Sequence, residues 1–296
     1  MTKKLPTVSI VIPAYNESES IERCLLTCIN QTRRAHEIVV VNNLSTDNTA
    51  AIVRRMQKEY KDKATIRLLN QAEAQGIIPT RNLGFDRATG EVLGRIDADS
   101  IIDPSWVREV QRIFSDSEVM AATGPVVYHD MPARRFGAVA DDQIRNVLDR
   151  LARDHKFLFG SNMAIRATAW HDIKNEVCLD PEDLLHEDID MALHVFQRDM
   201  KIVYDRKMLG GMSARRLDDS PRKFYSYVMR YERTYKRHDI KSATARIPIF
   251  IYLSTYFPLK ALRLAYDPEE NRISLSRFRQ RLAEARATEA EAKPVE

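Results

Sequence analysis

The chain has 296 residues, 44% hydrophobic and 30% charged, the proportions of a globular protein able to bury a sizeable core as one domain or one domain with an extension. Its formal net charge of +4 is mild and its basic residues are dispersed, which argues against nucleic acid as a partner. Three cysteines, Cys24, Cys28 and Cys178, make no disulfide framework, and with no signal peptide in view a reducing cytosol is the expected compartment.

The first half alternates two kinds of segment. "TVSIVIPAY" is short, apolar and rich in Val and Ile, which predicts a buried strand. "SESIERCLLTCINQ" has the helical period, with Ile21, Leu25, Cys28 and Ile29 on one face. Cys24 and Cys28 stand at i and i+4 on that helix. Metal ligation there needs two further ligands that the sequence does not offer, so both read as small buried apolar residues. "HEIVVVNN" is a second strand, and "STDNTAAIVRRMQKEY" a helix opened by a Ser/Thr/Asp cap signal. "TIRLLNQ" is a third strand, "PTRNLGFDRAT" a short helix ending at Gly90, and "EVLGRIDAD" a fourth strand. "DPSWVREVQRIF" is a helix with Pro at its start. Such alternation implies crossover connections and a mostly parallel sheet.

The second half is less regular. "VMAATGPVVY" reads as a strand, "RRFGAVADDQIRNVLDRLARD" as a helix and "KFLFGSNMAIRATAW" as mixed. "EDIDMALHVFQRD" is an amphipathic helix and "MKIVYDRK" a late strand, while "PRKFYSYVMRYERTYKRH" is aromatic and basic at helical spacing. There is no internal repeat. Residues 1–235 read as the main domain, 236–282 as an apolar and basic helical extension, and 283–296 as a frayed or disordered tail.

Polar residues collect at three strand ends: Pro13 to Glu17, Asn42 to Asp47, and "DADS" from Asp97. In a parallel sheet all three fall on one edge, where open α/β sheets bind ligands. On extended chain, Asp97 and Asp99 point to the same side, with Ala98 kept small between them. Two carboxylates suit Mn²⁺ or Mg²⁺, which take their remaining ligands from water and substrate phosphates. No G-x-G-x-x-G or P-loop motif is present, which removes the main support for dinucleotide binding and P-loop chemistry.

"VSIVIPAYNE", "EIVVVNNLSTDNT", "TRNLG", "IDAD", "GSNMAIR" and "HEDIDMAL" occur in an order that resembles glycosyltransferase family 2, over roughly residues 5 to 215. The resemblance implies the GT-A fold, a Rossmann-like, mostly parallel α/β sheet flanked by helices. It also implies an inverting, metal-dependent transferase with a nucleotide-sugar donor and a saccharide or lipid-linked saccharide acceptor. Carried onto this chain, it places Pro13, Ala14, Tyr15 and Glu17 along the nucleoside pocket. Arg81 would lie near the base or ribose, Asp97 on the ribose side, and Asp99 on the metal. Gly160, Ser161 and Asn162 would border the acceptor, Asp188 would be the base and Glu187 its neighbour.

Two positions depart from the family pattern. Asn42 stands where an aspartate usually reads the base, and an amide donates as well as accepts. No histidine follows the base in "VYDRKMLGGMSARRL"; the nearest are His194 and His238. Arg215 and Arg216 could contact the diphosphate instead, or form a solvated basic turn. The rival readings are a sugar nucleotidyltransferase, which "PAYNESE" disfavours for want of glycine, and a non-catalytic binding relative.

"RIPIFIYLSTYFPLKALRLAY", from Arg246, is the most apolar region. Its uncharged run from Ile247 to Leu259 is too short to span a bilayer, which needs about 20 residues, and two prolines interrupt it. Residues 240–266 could cover the domain, pair two copies, or meet the cytoplasmic face of a membrane through aromatic residues flanked by Lys236, Arg237, Lys241, Arg246, Lys260 and Arg263.

Overall fold

A computed structural model describes residues 4–241, 243–268 and 270–291, with side chains as far as residue 283. β1 (Val8–Ala14) is buried at every position, as its unbroken apolar run requires. α1 (Ile21–Ile29) leads to β2 (Glu37–Asn42), α2 (Thr49–Glu59) to β3 (Ile66–Asn70), and α3 (Ile77–Arg87) to β4 (Val92–Arg95). Then follow α4 (Trp106–Ile113), β5 (Val119–Thr123), β6 (Val126–Tyr128), α5 (Arg134–Leu151), β7 (Met163–Arg166) and α6 (Ala167–Ile173). The rest of the core is α7 (Glu187–Gln197), β8 (Lys201–Tyr204) and β9 (Gly210–Met212). α8 (Pro221–Arg237), α9 (Ile247–Ala265), β10 (Tyr266–Asp267), β11 (Arg272–Ile273) and α10 (Leu275–Glu291) complete the chain.

The main sheet has the order β3-β2-β1-β4-β7-β5-β8. Every pairing is parallel except those of β7, which runs against both β4 and β5. From β1 the chain winds outward to β3, then returns to set β4 on the other side of β1. The crevice at that reversal, beyond the carboxyl ends of β1 and β4, is where such sheets bind ligands. A second sheet pairs β6 with β9 beside it.

Alternation along β1 and β2 feeds two cores. Ile10, Ile12 and Val40 meet Leu25, Cys24 and Cys28 of α1, Met56 of α2 and Trp106 of α4. Val11, Val39 and Val41 meet Phe85 of α3, Trp170 of α6 and Met191 of α7. Helix α3 rides very close to the sheet: a Cβ on Gly84 would stand 2.4 Å from Val11 Cγ1. Cys24, Cys28 and Cys178 are free thiols in the interior.

The structure corrects two expectations. The fourth strand ends at Arg95 rather than Asp99, because Ser100 N–H donates to the Asp97 carbonyl at 3.0 Å and closes a turn. Asp97 therefore opens a turn and Asp99 lies within it, so the two do not alternate along a strand. "VMAATGPVVY" is two strands, broken at Gly124-Pro125, where a Cβ on Gly124 would lie 2.0 Å from the Met208 carbonyl oxygen. The mixed segment contains β7 followed directly by α6.

Helix α8 bridges the boundary drawn at residue 235. Tyr231 and Tyr235 pack on Ile189 and Leu193 of α7, and Phe224 and Val228 pack on Tyr256 of α9. The rings of Phe224 and Tyr256 stack 4.3 Å apart. Tyr256 Oη and Lys260 Nζ both donate to the Asp219 carbonyl, each at 2.6 Å. The inner face of α9 thus covers α8 and the 3-10 turn Arg215–Asp218. Its outer face leaves Phe250 and Phe257 73% and 66% exposed. Among the described residues no helix is long and apolar enough to cross a membrane. The backbone expected to fray beyond residue 283 is helical to Glu291, and residues 292–296 lie outside the described residues.

Candidate active site

The loops after β1 and β2 are tied to each other at the crevice. Asn16, in the left-handed region at φ 52°, accepts from Thr46 N–H through Oδ1 at 2.8 Å and donates its own N–H to Ser45 Oγ at 3.0 Å. Glu17 N–H donates to Thr49 Oγ1 at 2.8 Å, and Ser18 N–H to Asp47 at 3.0 Å. Burial would raise the Asp47 pKa, but hydrogen bonds from Thr49 and Ser18 overcome it and hold the carboxylate ionised. Pro13 and Ala14 are buried beneath this junction, and Tyr15 is 48% exposed above it.

Glu17, Asp97 and Asp99 gather around one arginine. Arg215 Nη2 lies 2.6 Å from Glu17 Oε1, and its Nε lies 3.0 Å from Asp99 Oδ2. Burial and the nearby Asp97 charge push the Asp99 pKa up to about 6, against the pull of Arg215. His129 Nε2 lies 3.1 Å from the Asp99 carbonyl oxygen and so joins this cluster from the end of β6. Arg216 turns away, with its guanidinium 4.4 Å from the Tyr227 ring centroid.

Arg95 connects this cluster to α7. Its Nη2 meets Asp97 at 3.0 Å and its Nη1 meets Glu187 at 2.5 Å. The guanidinium passes under Gly160, where a Cβ would stand 1.8 Å from Nη1, so any larger residue there must displace it. Gly160 N–H in turn donates to Asp188 Oδ2 at 2.7 Å, and Ile189 N–H to Asp188 Oδ1 at 2.9 Å. Asp188 is half-buried. Burial and the adjacent Glu187 charge raise its pKa to about 6, which Arg95 partly offsets.

The structure therefore brings together Tyr15, Glu17, Asp97, Asp99, Gly160, Asp188 and Arg215. Other expected site residues have inward partners. Arg81 is fully buried and pairs with Glu187, so the two form a structural contact beneath the cleft. Asn162 is also fully buried, where it accepts from Trp106 Nε1 at 2.8 Å and donates to the carbonyls of Pro125 and Met208. Ser161 is buried against Met212 Sδ at 3.7 Å. Asn42 donates to Asn70 at 3.2 Å, while its Oδ1 is buried without a partner. Sequence reasoning passed over Arg95 and His129. Arg95 lies inside "RIDADS", where its charge in an otherwise apolar strand was the available signal. His129 carried no local signal.

The sequence profile described as Glycosyl transferase family 2 matches residues 9–174, more than half of the chain. The chain belongs to glycosyltransferase family 2. Glycosyltransferase AglE of Haloferax volcanii is 33% identical over 130 residues, covering 43% of this chain and 42% of AglE. An uncharacterized glycosyltransferase of Escherichia coli, YibD, is 37% identical over 115 residues, 39% of this chain and 32% of YibD. The chain thus matches less than half the length of these relatives.

Among solved structures, a Pyrobaculum calidifontis mannosyltransferase, PcManGT, in complex with GDP-Man and Mn²⁺ aligns with a TM-score of 0.60 at 22% identity, covering 98% of this chain and 82% of that one. TarS 1–349 of S. aureus in complex with UDP-GlcNAc aligns at 0.54 and 18% identity, over 95% and 87%. At these identities the likeness concerns the fold, which is the GT-A arrangement.

The donor set of this family 2 chain suits a hard cation. Glu17, Asp97 and Asp99 offer carboxylate oxygens, the ligands that Mn²⁺ and Mg²⁺ prefer. They crowd enough negative charge to raise Asp99 and to draw in Arg215. Tyr227, Tyr231 and Tyr252 pack on the α8 side of the core, with Tyr231 stacked on Tyr252, and burial raises the Tyr227 pKa.

Proposed function

We propose that this protein transfers a hexosyl group, with inversion, from a nucleotide-sugar donor to a hydroxyl of a saccharide or lipid-linked saccharide. The observation that carries this reading is Asp188: a half-buried carboxylate held by two backbone N–H groups, with its pKa raised to about 6. Such a group is still ionised near neutral pH and is a better proton acceptor than an ordinary aspartate. The acceptor oxygen attacks the anomeric carbon, its proton passes to Asp188, and the bond to the diphosphate oxygen breaks with its electron pair. Asp99, with Asp97 beside it, would hold Mn²⁺ or Mg²⁺. The cation would neutralise charge on the leaving diphosphate.

The neighbouring residues fit the same reading. On this reading the exposed Tyr15 covers a nucleoside, and Asn42, at the end of β2, stands where the base is read. Arg215, which pairs with Glu17 and Asp99, would be the diphosphate contact. The outer face of α9, which exposes Phe250 and Phe257, is on this reading the surface that meets anionic lipid carrying the acceptor. On this reading the protein works at the cytoplasmic face of a membrane.

Asp188→Asn tests the base. It keeps nucleotide binding and loses roughly 10²–10⁴-fold in transfer. Turnover at the wild-type rate would refute the assignment. Calorimetric titration with UDP and GDP, with and without Mn²⁺, reads the donor half of the proposal separately.

A further inference from the structure

Helix α7 presents a second polar cluster on the side away from the cleft. Asp190 follows Asp188 by two positions, so the two side chains leave the helix in opposed directions, whereas Asp190 and His194 share a face. His238, the C-cap of α8, completes the group. His238 Nε2 lies 2.8 Å from Asp190 Oδ1, and His194 Nε2 lies 3.8 Å from Asp190 Oδ2. One ligand atom from each residue falls within 4.8 Å of the other two. Four-coordinate zinc, with bonds of about 2.0–2.2 Å, sets its ligands about 3.3 Å apart, inside that spread.

Three further observations favour a cation over a simple ion pair. Asp190 is fully buried, and its Oδ2 is fixed by Cys178 N–H at 2.8 Å. His194 Nε2 is buried without a hydrogen-bond partner, although it faces the cluster. The Glu176 carboxylate stands 3.7 Å from His194 Nδ1, where it would favour the tautomer that leaves Nε2 free to ligate. Arg237 also approaches Asp190, at 3.7 Å, but its side chain is 54% exposed and can withdraw into solvent.

We propose that Asp190, His194 and His238 form a site for one Zn²⁺-class cation that clamps α7 to α8. Two imidazoles and one carboxylate suit such an ion rather than Mg²⁺, which takes oxygen ligands. The clamp is separate from the carboxylates of the cleft. Its role is positional: it fixes the helix whose first turn carries Asp188.

The test uses the untagged full chain, stripped with a chelator and titrated with Co²⁺. The expected result is visible ligand-field absorption that saturates near about one equivalent and is abolished by added Zn²⁺. Asp99→Asn retains the signal. His194→Ala weakens Co²⁺ binding by more than about tenfold, and Zn²⁺ no longer raises its melting temperature. An absent signal in the wild type, or an equal one in His194→Ala, overturns the proposal. His238→Ala is a second probe, and if it fails to fold the wild-type and His194→Ala titrations still decide.

Discussion

Glu187 takes two guanidiniums into the interior, one from Arg81 of α3 and one from Arg95 of β4. A buried carboxylate of this kind is costly to remove, because its partners keep their charge. Glu187→Gln should lower unfolding free energy by about 3–5 kcal/mol in urea titrations. Loss of nucleotide binding with unchanged stability would show that Glu187 instead serves ligand. The sharpest steric prediction concerns Gly160. Alanine there drives a methyl into Arg95, which must move and take Asp97 and Glu187 with it. Transfer should fall by about 10²-fold, and nucleotide binding should weaken with it because Asp97 is displaced. The pairing of Arg81 with Glu187 was not legible, since it joins residues 106 positions apart. The motif residues were legible in type, but only folding decides which of two adjacent carboxylates faces solvent.

At the scale of elements, α9 has two faces with separate consequences. Tyr256 is buried against Phe224, so Tyr256→Ala should destabilise the protein by about 3–5 kcal/mol. Phe250 and Phe257 are exposed, so replacing both with serine should leave the melting temperature nearly unchanged while reducing flotation with anionic liposomes. Equal flotation of the two proteins would remove lipid as the occupant of that face. The inner face was foreshadowed by the aromatic spacing of the helix now called α8. The direction of β7 was not, because a four-residue apolar run reads alike in either direction. The turn after β4 was missed for a related reason: its closing contact is a side chain and a backbone N–H of Ser100, which strand periodicity does not register.

Across the whole molecule, the parallel half of the sheet was the most legible part, since strand, helix and strand repeat with little interruption. Glu37 ties that half together. Its carboxylate accepts from Ser9 Oγ on β1, from Arg67 on β3, and from the Thr89 backbone before β4. Burial would raise its pKa, but the bonds from Arg67, Thr89 and Ser9 prevail and lower it. A lowered folded pKa contributes stability that is present above the unfolded value of about 4.3 and is lost as pH falls through the folded value. Urea midpoints should therefore drop below about pH 4, and Glu37→Gln should flatten that slope.

The arginine that bridges Glu17 and Asp99 has one further effect. On the proposed reading, a cation at Asp99 would compete with Arg215 for that carboxylate, leaving the guanidinium on Glu17 alone until a diphosphate offers a second partner. Cation and nucleotide then assist each other, each raising the other's affinity by the same factor. Arg215→Met would break that reciprocity, giving tighter Mn²⁺ binding alone and little gain when UDP or GDP is added. The free enzyme would thus hold its metal loosely and carry it chiefly while loaded with donor.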